Sequence, residues 1–209
     1  MKPKPKVPVA ILISGRGSNM GALIAASLHT DFPARIVSVI SDKPDAKGLE
    51  HARGFGIAAE AIPHADYDSK AEHEAAIRAA IDASGATLIA LAGYMRLLSG
   101  EFVSRYAGRI INIHPSLLPA FPGLATHKRA LAAGCRVHGC TVHFVTEGMD
   151  EGPIIEQEAV RVSRDDTPDT LAAKVLEAEH RIYPEALAML ARGEVRLGGD
   201  GAARFTTSG

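Results

Sequence analysis

Apolar runs rich in β-branched residues alternate along the chain with segments whose apolar side chains recur every three or four positions. The runs predict strands, because β-branched side chains suit a pleated sheet, and the intervening periodicity predicts amphipathic helices. The first five predicted strands cover about 7–13, 35–41, 57–62, 87–92 and 109–113. This alternation is typical of βαβ units, so we expect an open, doubly wound α/β sheet that is mostly parallel and twisted.

The pattern changes after residue 114, where prolines become frequent and the regular alternation of strand and helix stops. An irregular loop is followed by a short predicted helix near 126–133 and by two predicted strands near 136–145 and 153–162. We therefore expect about seven strands in all, with an antiparallel strand in the C-terminal half of the sheet.

Thr167 followed by Pro168 predicts the start of a long helix, since threonine caps helices and proline suits the first helical position. This helix is expected to run to about Gly193. The segments 1–6 and 198–209 are predicted to be loosely ordered tails, the second because it is rich in glycine, alanine, threonine and serine. No linker or repeat divides the chain, so we expect a single domain over residues 1–209.

Composition and charge narrow the function classes. Hydrophobic residues make up 46% of the 209 residues, which is enough for a core and excludes a disordered chain. The 23 Lys and Arg residues nearly balance the 24 Asp and Glu residues, so no field attracts nucleic acid or an anionic membrane. Two cysteines suit a reducing compartment, and no apolar run approaches the roughly 20 residues of a membrane span. We expect a cytoplasmic protein that binds neither nucleic acid nor membrane.

A glycine-rich segment, Ser14 to Asn19, joins the first predicted strand to the first predicted helix. Exposed backbone amides and the helix dipole favour a phosphate at such a junction. The dinucleotide-binding motif is disfavoured because Met20 occupies the position of its third glycine, and the lysine of a P-loop is missing. A tight turn without any ligand is the alternative for this segment.

Asn112 and His114 lie at the end of the fifth predicted strand, where the two-residue period of a strand points both side chains to one side. Pro115 ends the strand, so both residues lie at the carboxyl edge, where open α/β sheets bind their ligands. Polar groups that are merely satisfied at a strand end are the alternative. An asparagine between two isoleucines is costly to bury without a partner, which favours a functional role.

An acidic turn, Thr146 to Pro153, connects the last two predicted strands and by itself reads as a solvated connection. If Asp150 folds back towards His114, however, an amide donor, an imidazole and a carboxylate come together with Asn112. That set can move an acyl group between two nitrogen atoms, because the carboxylate favours the charged form of the imidazole.

The cysteines and histidines between 127 and 143 raise the alternative of a metal-binding site. Cys135, His138, Cys140 and His143 form a compact group, with His127 shortly before it. The two cysteines are farther apart than in the usual zinc-binding pair, and no second pair completes a structural site. We therefore expect no metal, and we expect His143 to be a packed or site-lining residue.

Four segments together carry a family resemblance: Ser14–Asn19, Leu91–Leu98, Asn112–Pro119 and Asp150–Pro153. In this order they resemble the phosphoribosylglycinamide formyltransferases, over roughly residues 8–193. The resemblance implies the formyltransferase fold and transfer of a formyl group from 10-formyltetrahydrofolate to the amine of 5-phosphoribosylglycinamide, a step of de novo purine synthesis. It implies 10-formyltetrahydrofolate as co-substrate, no tightly bound cofactor and no metal, in a monomer or a homodimer.

The resemblance also assigns roles to positions of this chain. It implies three catalytic residues, Asn112, His114 and Asp150. It implies contacts with the ribotide, mainly through backbone amides, at Gly15, Arg16, Gly17, Ser18, Asn19 and Glu179. It implies contacts with the folate at Lys70, Leu91, Met95, Arg96, Leu97, Leu98, Asn112, Val145, Glu147, Gly148 and Asp150. In this reading, about 7–100 bind the ribotide phosphate, and about 101–193 bind the folate and carry out the catalysis.

Two positions depart from the pattern of that family. Lys70 stands where arginine is frequent, and a lysine holds a carboxylate only as a point charge. Ala125 stands where several bacterial relatives have a polar side chain, which puts a polar contact from that loop in doubt.

Three rival functions remain at this point. A formyltetrahydrofolate deformylase would use the same trio with water as acceptor, and resemblance to that group would imply an additional N-terminal domain. A methionyl-tRNA formyltransferase would imply an RNA-binding domain and a basic surface, which the balanced charge does not favour. A non-catalytic module that binds a sugar phosphate would use the glycine-rich segment alone.

Overall fold

The computed structural model describes residues 5–206, and its centre is a seven-stranded sheet. The strands in chain order are β1 (Val7–Ile13), β2 (Ala34–Ser41), β3 (Ala58–Ala61), β4 (Leu88–Leu91), β5 (Ile110–His114), β6 (Val137–Phe144) and β7 (Ile154–Arg161). Their order across the sheet is β3-β2-β1-β4-β5-β6-β7. Neighbouring strands are parallel from β3 to β5, whereas β6 is antiparallel to both β5 and β7. The predicted doubly wound sheet with its antiparallel strand is confirmed.

Helices cover both faces of this sheet. In chain order they are α1 (Ser18–Ser27), α2 (Lys47–Gly54), α3 (Lys70–Ser84), α4 (Gly100–Arg105), α5 (Thr126–Ala132) and α6 (Pro168–Arg192). One buried cluster packs Val9 and Ile11 of β1 against α1, α2 and α6, and a second packs Ala10 and Leu12 against α3 and α4. Because successive side chains of β1 enter opposite cores, the strand is apolar throughout.

The ends of helix α3 follow local chemistry. The Ser69 hydroxyl accepts a hydrogen bond from the Glu72 amide at 3.2 Å, which satisfies one free N–H of the first turn. The Glu72 carboxylate accepts a hydrogen bond from the amide of Asp68, one residue before the N-cap, rather than from that of Ser69. Gly85 ends the helix with φ 70°, a left-handed conformation that glycine adopts without strain.

Helix α6 begins and ends as predicted and is anchored under the centre of the sheet. The Thr167 hydroxyl accepts from the Thr170 amide at 3.2 Å, and Gly193 closes the helix with φ 73°. The fully buried Tyr183 hydroxyl lies 2.9 Å from the Leu91 carbonyl and 3.2 Å from the Ile111 carbonyl. It therefore fixes α6 against the carboxyl end of β4 and the first half of β5.

The prediction of a loose C-terminal tail is wrong for part of that segment. Residues Ala203–Phe205 form a strand, β9, which pairs antiparallel with a strand β8 at Val195–Leu197. The Gly198 amide donates to the Ala202 carbonyl at 2.7 Å and closes the turn between them. Backbone pairing thus orders residues whose composition alone indicated a loose chain, and residues 207–209 lie outside the described part.

The predicted N-terminal tail lies mostly outside the described residues, since 1–4 are not among them. The Lys6 ammonium donates to the Ser27 carbonyl at 2.8 Å, which ties the residue before β1 to the end of α1. In the described part of the chain, no helix has the length and apolar character needed to cross a membrane.

The sheet has its topological switch between β1 and β4, because the chain leaves β1 for one side of the sheet and returns through β4 on the other. Ligands of open α/β sheets bind at the carboxyl ends of the strands beside such a switch. Here the Ser14 amide donates to the Gly93 carbonyl at 3.1 Å, and the Ser14 hydroxyl accepts from the Met95 amide at 2.8 Å. The loops after β1 and β4 are thereby joined at the expected place.

Candidate active site

The glycine-rich loop after β1 presents free backbone amides. Gly17 precedes α1 with φ 69° and no side chain among residues 5–206 caps the helix, so the first amides of α1 are open to a ligand. Gly48 at the start of α2 supports this loop, because its amide donates to the Gly15 carbonyl at 3.1 Å. A Cβ atom at Gly48 would lie 2.5 Å from Cδ1 of Ile13 and 3.1 Å from the Gly15 carbonyl oxygen, so a larger residue here would force Ile13 or the loop to shift.

Asn19 and Glu179 connect this loop to helix α6 across 160 residues of sequence. The Asn19 amide nitrogen donates to a Glu179 carboxylate oxygen at 2.8 Å. Burial raises the pKa of the Glu179 carboxyl to about 6, and the hydrogen bond from Asn19 opposes that rise. The Asn19 side-chain oxygen is buried and has no partner in the described part of the chain, so it remains able to accept a hydrogen bond.

The Asp150 carboxylate lies against the His114 ring at the carboxyl end of β5. Asp150 Oδ2 is 3.3 Å from His114 Nδ1 and accepts a hydrogen bond from the Gly123 amide at 2.8 Å. Asp150 has φ 56°, an uncommon left-handed conformation outside glycine that aspartate tolerates better than most residues. The turn that carries Asp150 therefore folds back onto the end of β5. This fold brings the Asp150 carboxylate to His114, which is the condition for the three groups to act together.

Both ring nitrogens of His114 face hydrogen-bond acceptors. Nε2 lies 3.1 Å from the Phe121 carbonyl oxygen, which can only accept, and Nδ1 faces the carboxylate of Asp150. A neutral imidazole carries one N–H and can satisfy only one of these acceptors. A ring with protons on both nitrogens would donate to both acceptors, and only 6% of the residue is exposed to solvent.

His143 orients the Asn112 amide, and sequence reasoning did not assign it this contact. In the register of β5 and β6 it lies directly opposite Asn112. Its Nδ1 atom lies 2.8 Å from the Phe144 carbonyl and so carries the proton, while Nε2 accepts from the Asn112 amide nitrogen at 3.2 Å. Burial lowers the pKa of His143, which keeps this ring neutral. The second N–H of the Asn112 amide then has no partner in the part of the chain that the structure describes.

Two adjoining cavities open beside Asn112, His114 and Asp150, which are called the trio. The two cavities are together called the trio cavity, and their volumes are about 380 Å³ and 100 Å³. Asn112 and Asp150 line both parts, and His114 lines the larger. Nearly all residues predicted to contact the folate lie in its walls: Leu91, Met95, Arg96, Leu97, Leu98, Asn112, Val145, Glu147, Gly148 and Asp150. An apolar rim surrounds the opening, formed by the exposed side chains of Met95, Leu97, Leu124 and Met149.

Several predicted residues lie apart from this cavity. Lys70 is not in its walls, and its ammonium lies 3.8 Å from the Glu74 carboxylate. The residues predicted to contact the ribotide are also outside the walls and are joined to them through Ser14. Ala125 does line the larger part of the trio cavity, with φ 56°, but its side chain has no polar group.

Tyr94 and His127 also line the trio cavity, although the sequence did not predict a contact with the folate for either residue. Burial lowers the pKa of His127, and the ring of His138 packs edge-on against it at 5.3 Å. Within residues 5–206, no group of three or more His, Cys, Asp and Glu side chains is arranged to hold a metal ion.

Comparison with known proteins agrees with this geometry. The model of the family described as formyl transferase matches residues 7–187. The chain belongs to the formyl transferase family. Among curated formyl transferase relatives, phosphoribosylglycinamide formyltransferase of Escherichia coli is 43% identical over 90% of this chain and 89% of its own. Among solved structures, phosphoribosylglycinamide formyltransferase of Brucella melitensis is 58% identical, with a TM-score of 0.86 over 89% of this chain and 96% of its own.

Some relatives of this formyl transferase family are much longer than the chain. The trifunctional purine biosynthetic protein adenosine-3 of Gallus gallus is 49% identical over 92% of this chain, which corresponds to 19% of that protein. The chain thus spans about a fifth of the length of these trifunctional relatives, and the similarity concerns one part of them.

Proposed function

We propose that the chain transfers the formyl group of 10-formyltetrahydrofolate to the amine of 5-phosphoribosylglycinamide, giving the N-formylglycinamide ribotide and tetrahydrofolate. The observation that carries the proposal is the contact of Asp150 with His114, beside Asn112, in the wall of a cavity at the carboxyl ends of β4 and β5. The names of the relatives support the choice of substrates, and the glycine-rich loop supports a phosphorylated acceptor.

In the proposed reaction the amine nitrogen attacks the formyl carbon, and the carbonyl oxygen becomes an oxyanion. The free N–H of the Asn112 amide is the donor for that oxygen, held in place by His143 before the charge develops. When protonated, the His114 ring would add a positive charge at the same wall of the cavity. A donor that is oriented in advance contributes typically about 10²–10³ in rate.

The second half of the reaction transfers a proton. The new carbon–nitrogen bond leaves a proton on the attacking amine, and the bond from the formyl carbon to N10 of the folate must break. Asp150 is the group proposed to relay this proton to N10 through water, with His114 as its partner. Since the amine loses one proton and N10 gains one, the enzyme returns to its starting state.

Binding of the ribotide is proposed for the loop after β1 and for α6. The amides at Gly15 to Asn19 would receive the phosphate, as the open first turn of α1 permits. Glu179 would accept hydrogen bonds from the ribose hydroxyls, and the Asn19 side chain links the two elements. Arg16 and Ser18 are exposed and border the same space.

The folate is proposed to bind in the trio cavity. The proposed formyl transfer uses no tightly bound cofactor and no metal. Leu91, Leu98 and Val145 offer apolar surface, and the turn at Glu147 and Gly148 offers backbone groups to a pterin ring. We propose that the protein is located in the cytoplasm. Its proposed partners are the two small-molecule substrates.

One assay tests the proposal against its rivals. The protein is incubated with 10-formyltetrahydrofolate labelled in the formyl carbon, together with the ribotide, with initiator tRNA, or with buffer alone. We expect the label in the N-formylglycinamide ribotide in the first tube and no conversion in the other two. Formate in every tube would instead identify a deformylase, and labelled tRNA a methionyl-tRNA formyltransferase.

A sugar-phosphate binding module is tested in the same way. The absence of turnover in all tubes, together with saturable binding of the ribotide in a titration, would overturn the enzyme assignment. Such a result would leave the buried His114 and Asp150 contact without a chemical role.

A further inference from the structure

Glu74 is a buried carboxylate on α3 that the proposed chemistry does not use. Only 3% of the residue is exposed to solvent, although a charged group is costly to bury without partners. Both of its oxygens bind one residue, since Oε1 accepts from the Ser99 amide at 2.8 Å and Oε2 accepts from the Ser99 hydroxyl. The Lys70 ammonium lies 3.8 Å from Oε1. The carboxylate therefore ties α3 to the residue that precedes α4.

Ser99 is the last residue of the loop between β4 and α4, and this loop forms one wall of the trio cavity. Residues 96–98 of the loop line that cavity. Ser14 holds the start of the loop through the Gly93 carbonyl and the Met95 amide. Between these two anchors, no backbone hydrogen bond joins 96–98 to another part of the described chain. The amides and carbonyls of 96–98 are therefore available to a ligand, and the two anchors determine where they lie.

The residue after Ser99 meets the acidic turn that forms another wall of the cavity. Gly100 is the first residue of α4, and a Cβ atom there would lie 2.6 Å from Oε1 of Glu147. Glu147 lines the smaller part of the trio cavity. Its carboxylate thus packs against the bare backbone of Gly100. The loop after β4 and the turn after β6 therefore contact each other beside the residue that Glu74 holds.

We infer that Glu74 is a positioning residue for the folate co-substrate, an inference that rests on the proposed function. By holding Ser99, it fixes the backbone groups of 96–98 before the folate binds. A segment that is ordered in advance lowers the entropy cost of binding. Glu74 is not in the walls of the trio cavity, so its effect concerns the binding of the folate rather than the chemical step.

Steady-state kinetics with 10-formyltetrahydrofolate and the ribotide tests this role. Glu74→Ala should raise the KM of the folate by about tenfold, the value of one hydrogen bond to a charged group. The kcat and the KM of the ribotide should stay within about twofold, because Glu74 contacts neither the trio nor the loop after β1. Glu74→Gln should keep the KM of the folate within about threefold, since its amide group can still bind the amide and the hydroxyl of Ser99.

Two serine caps provide a matched pair of variants. Ser99 Oγ accepts from the Phe102 amide at 3.2 Å, and Ser69 Oγ accepts from the Glu72 amide at the same distance. Within residues 5–206, only the Ser99 hydroxyl of these two also donates to Glu74. Ser99→Ala should therefore raise the KM of the folate by about fivefold, the value of an ordinary hydrogen bond. Ser69→Ala removes an equivalent cap from α3 and should leave this KM unchanged.

The double variant of Glu74→Ala and Ser99→Ala shows whether the two residues act through one contact. If they do, its KM for the folate should equal that of Glu74→Ala alone. Effects that multiply in the double variant would overturn the inference. An equal rise in Ser99→Ala and Ser69→Ala would also overturn it, and so would a fall in kcat in Glu74→Ala with an unchanged KM for the folate.

If Glu74→Ala fails to fold, as circular dichroism would show, the comparison of Ser99→Ala with Ser69→Ala decides alone. A higher KM for the folate in Ser99→Ala only would support the inference, and equal values in the two variants would overturn it. Formyl transfer by the unmodified protein leaves the proposed function standing in every case. Absence of transfer by the unmodified protein would instead overturn the proposed function itself.

Discussion

The loop after β1 and the trio at the end of β5 lie at the same edge of the sheet but are built from different groups. The loop offers backbone amides of consecutive residues, and Gly17 and Gly48 allow its close approach to α2. The trio offers side chains that come from β5 and from a turn after β6, and His143 supports it from β6. The first arrangement suits the binding of an anion, and the second suits reaction chemistry.

The loop after β1 and the trio differ in how well they tolerate side-chain substitutions. Backbone amides survive most side-chain substitutions, whereas the trio depends on the charge of Asp150 and on the orientation of Asn112. We therefore expect substitutions in the trio to lower turnover and substitutions in the loop region to weaken ribotide binding. The following predictions, from the largest expected effect to the smallest, test that separation.

Asp150→Asn should lower kcat by about 10³-fold and leave the KM of the ribotide within about twofold. Asparagine retains the shape of the side chain and tolerates φ 56°, but it removes the charge that faces His114 and cannot relay the proton. Steady-state kinetics with both substrates measures the two effects. Asp165→Asn, at an exposed position before α6, is the matched control and should retain full turnover. An equal change in kcat and in ribotide KM would contradict the separation of the two regions.

Asn112→Ala should lower kcat/KM by about 10²-fold, because it removes the oriented donor for the oxyanion. His143→Leu should lower it by about tenfold, since the amide remains but is no longer held by the imidazole. If His143 acts only through Asn112, the double variant should be no slower than Asn112→Ala alone. A double variant slower by the product of both factors would mean that His143 acts independently.

Glu179→Gln should remove a pH-dependent loss of stability. Burial raises the folded-state pKa of Glu179 from 4.5 to about 6, so the folded protein holds this proton more tightly than the unfolded chain does. Below pH 4.5 the raised pKa therefore does not lower the free energy of unfolding. As the pH rises from 4.5 through 6, the folded protein loses stability relative to the unfolded chain. The full loss at neutral pH is about 2 kcal/mol. Chemical denaturation at pH 4 and pH 7 should show this loss in the unmodified protein and not in Glu179→Gln.

Glu177→Gln provides the comparison for that experiment, because Glu177 is exposed on the same helix. It should show the same change in stability between the two pH values as the unmodified protein. If Glu179→Gln loses stability by the same amount as well, burial of Glu179 is not the cause.

Asn19→Ala should raise the KM of the ribotide by about tenfold, the value of one hydrogen bond to a charged group, while the KM of the folate changes little. The folate serves as the internal control, since Asn19 is not in the walls of the trio cavity. A fall in kcat with an unchanged ribotide KM would place Asn19 in the chemical step and would remove the distinction between the two regions.

The strands could be predicted to within one or two residues. The central strands β1 and β4 are continuous apolar runs because both of their faces are buried, whereas the edge strands β3 and β7 are partly exposed and carry polar residues. The ends of α6 could be predicted because Thr167 and Gly193 act through local hydrogen bonds and local backbone conformation. The small sheet of β8 and β9 could not, because its order comes from backbone pairing between segments with no strong pattern.

The candidate site was predictable only in part. The chemistry of Asn112, His114 and Asp150 pointed to acyl transfer, but 36 positions separate His114 from Asp150 along the chain. The position of His143 opposite Asn112 depends on the register of β5 and β6, which a single sequence does not specify.

The sequence alone determined which groups are available: a run of free amides after a buried strand, an amide and an imidazole on one side of a strand end, and an acidic turn. These are local features, and they follow from side-chain chemistry and backbone periodicity. The tertiary structure decided which of them meet, namely Asp150 with His114, His143 with Asn112, and Glu179 with Asn19. The physical reason is that strand order and register, set by burial of both faces of the sheet, bring distant residues together at one edge.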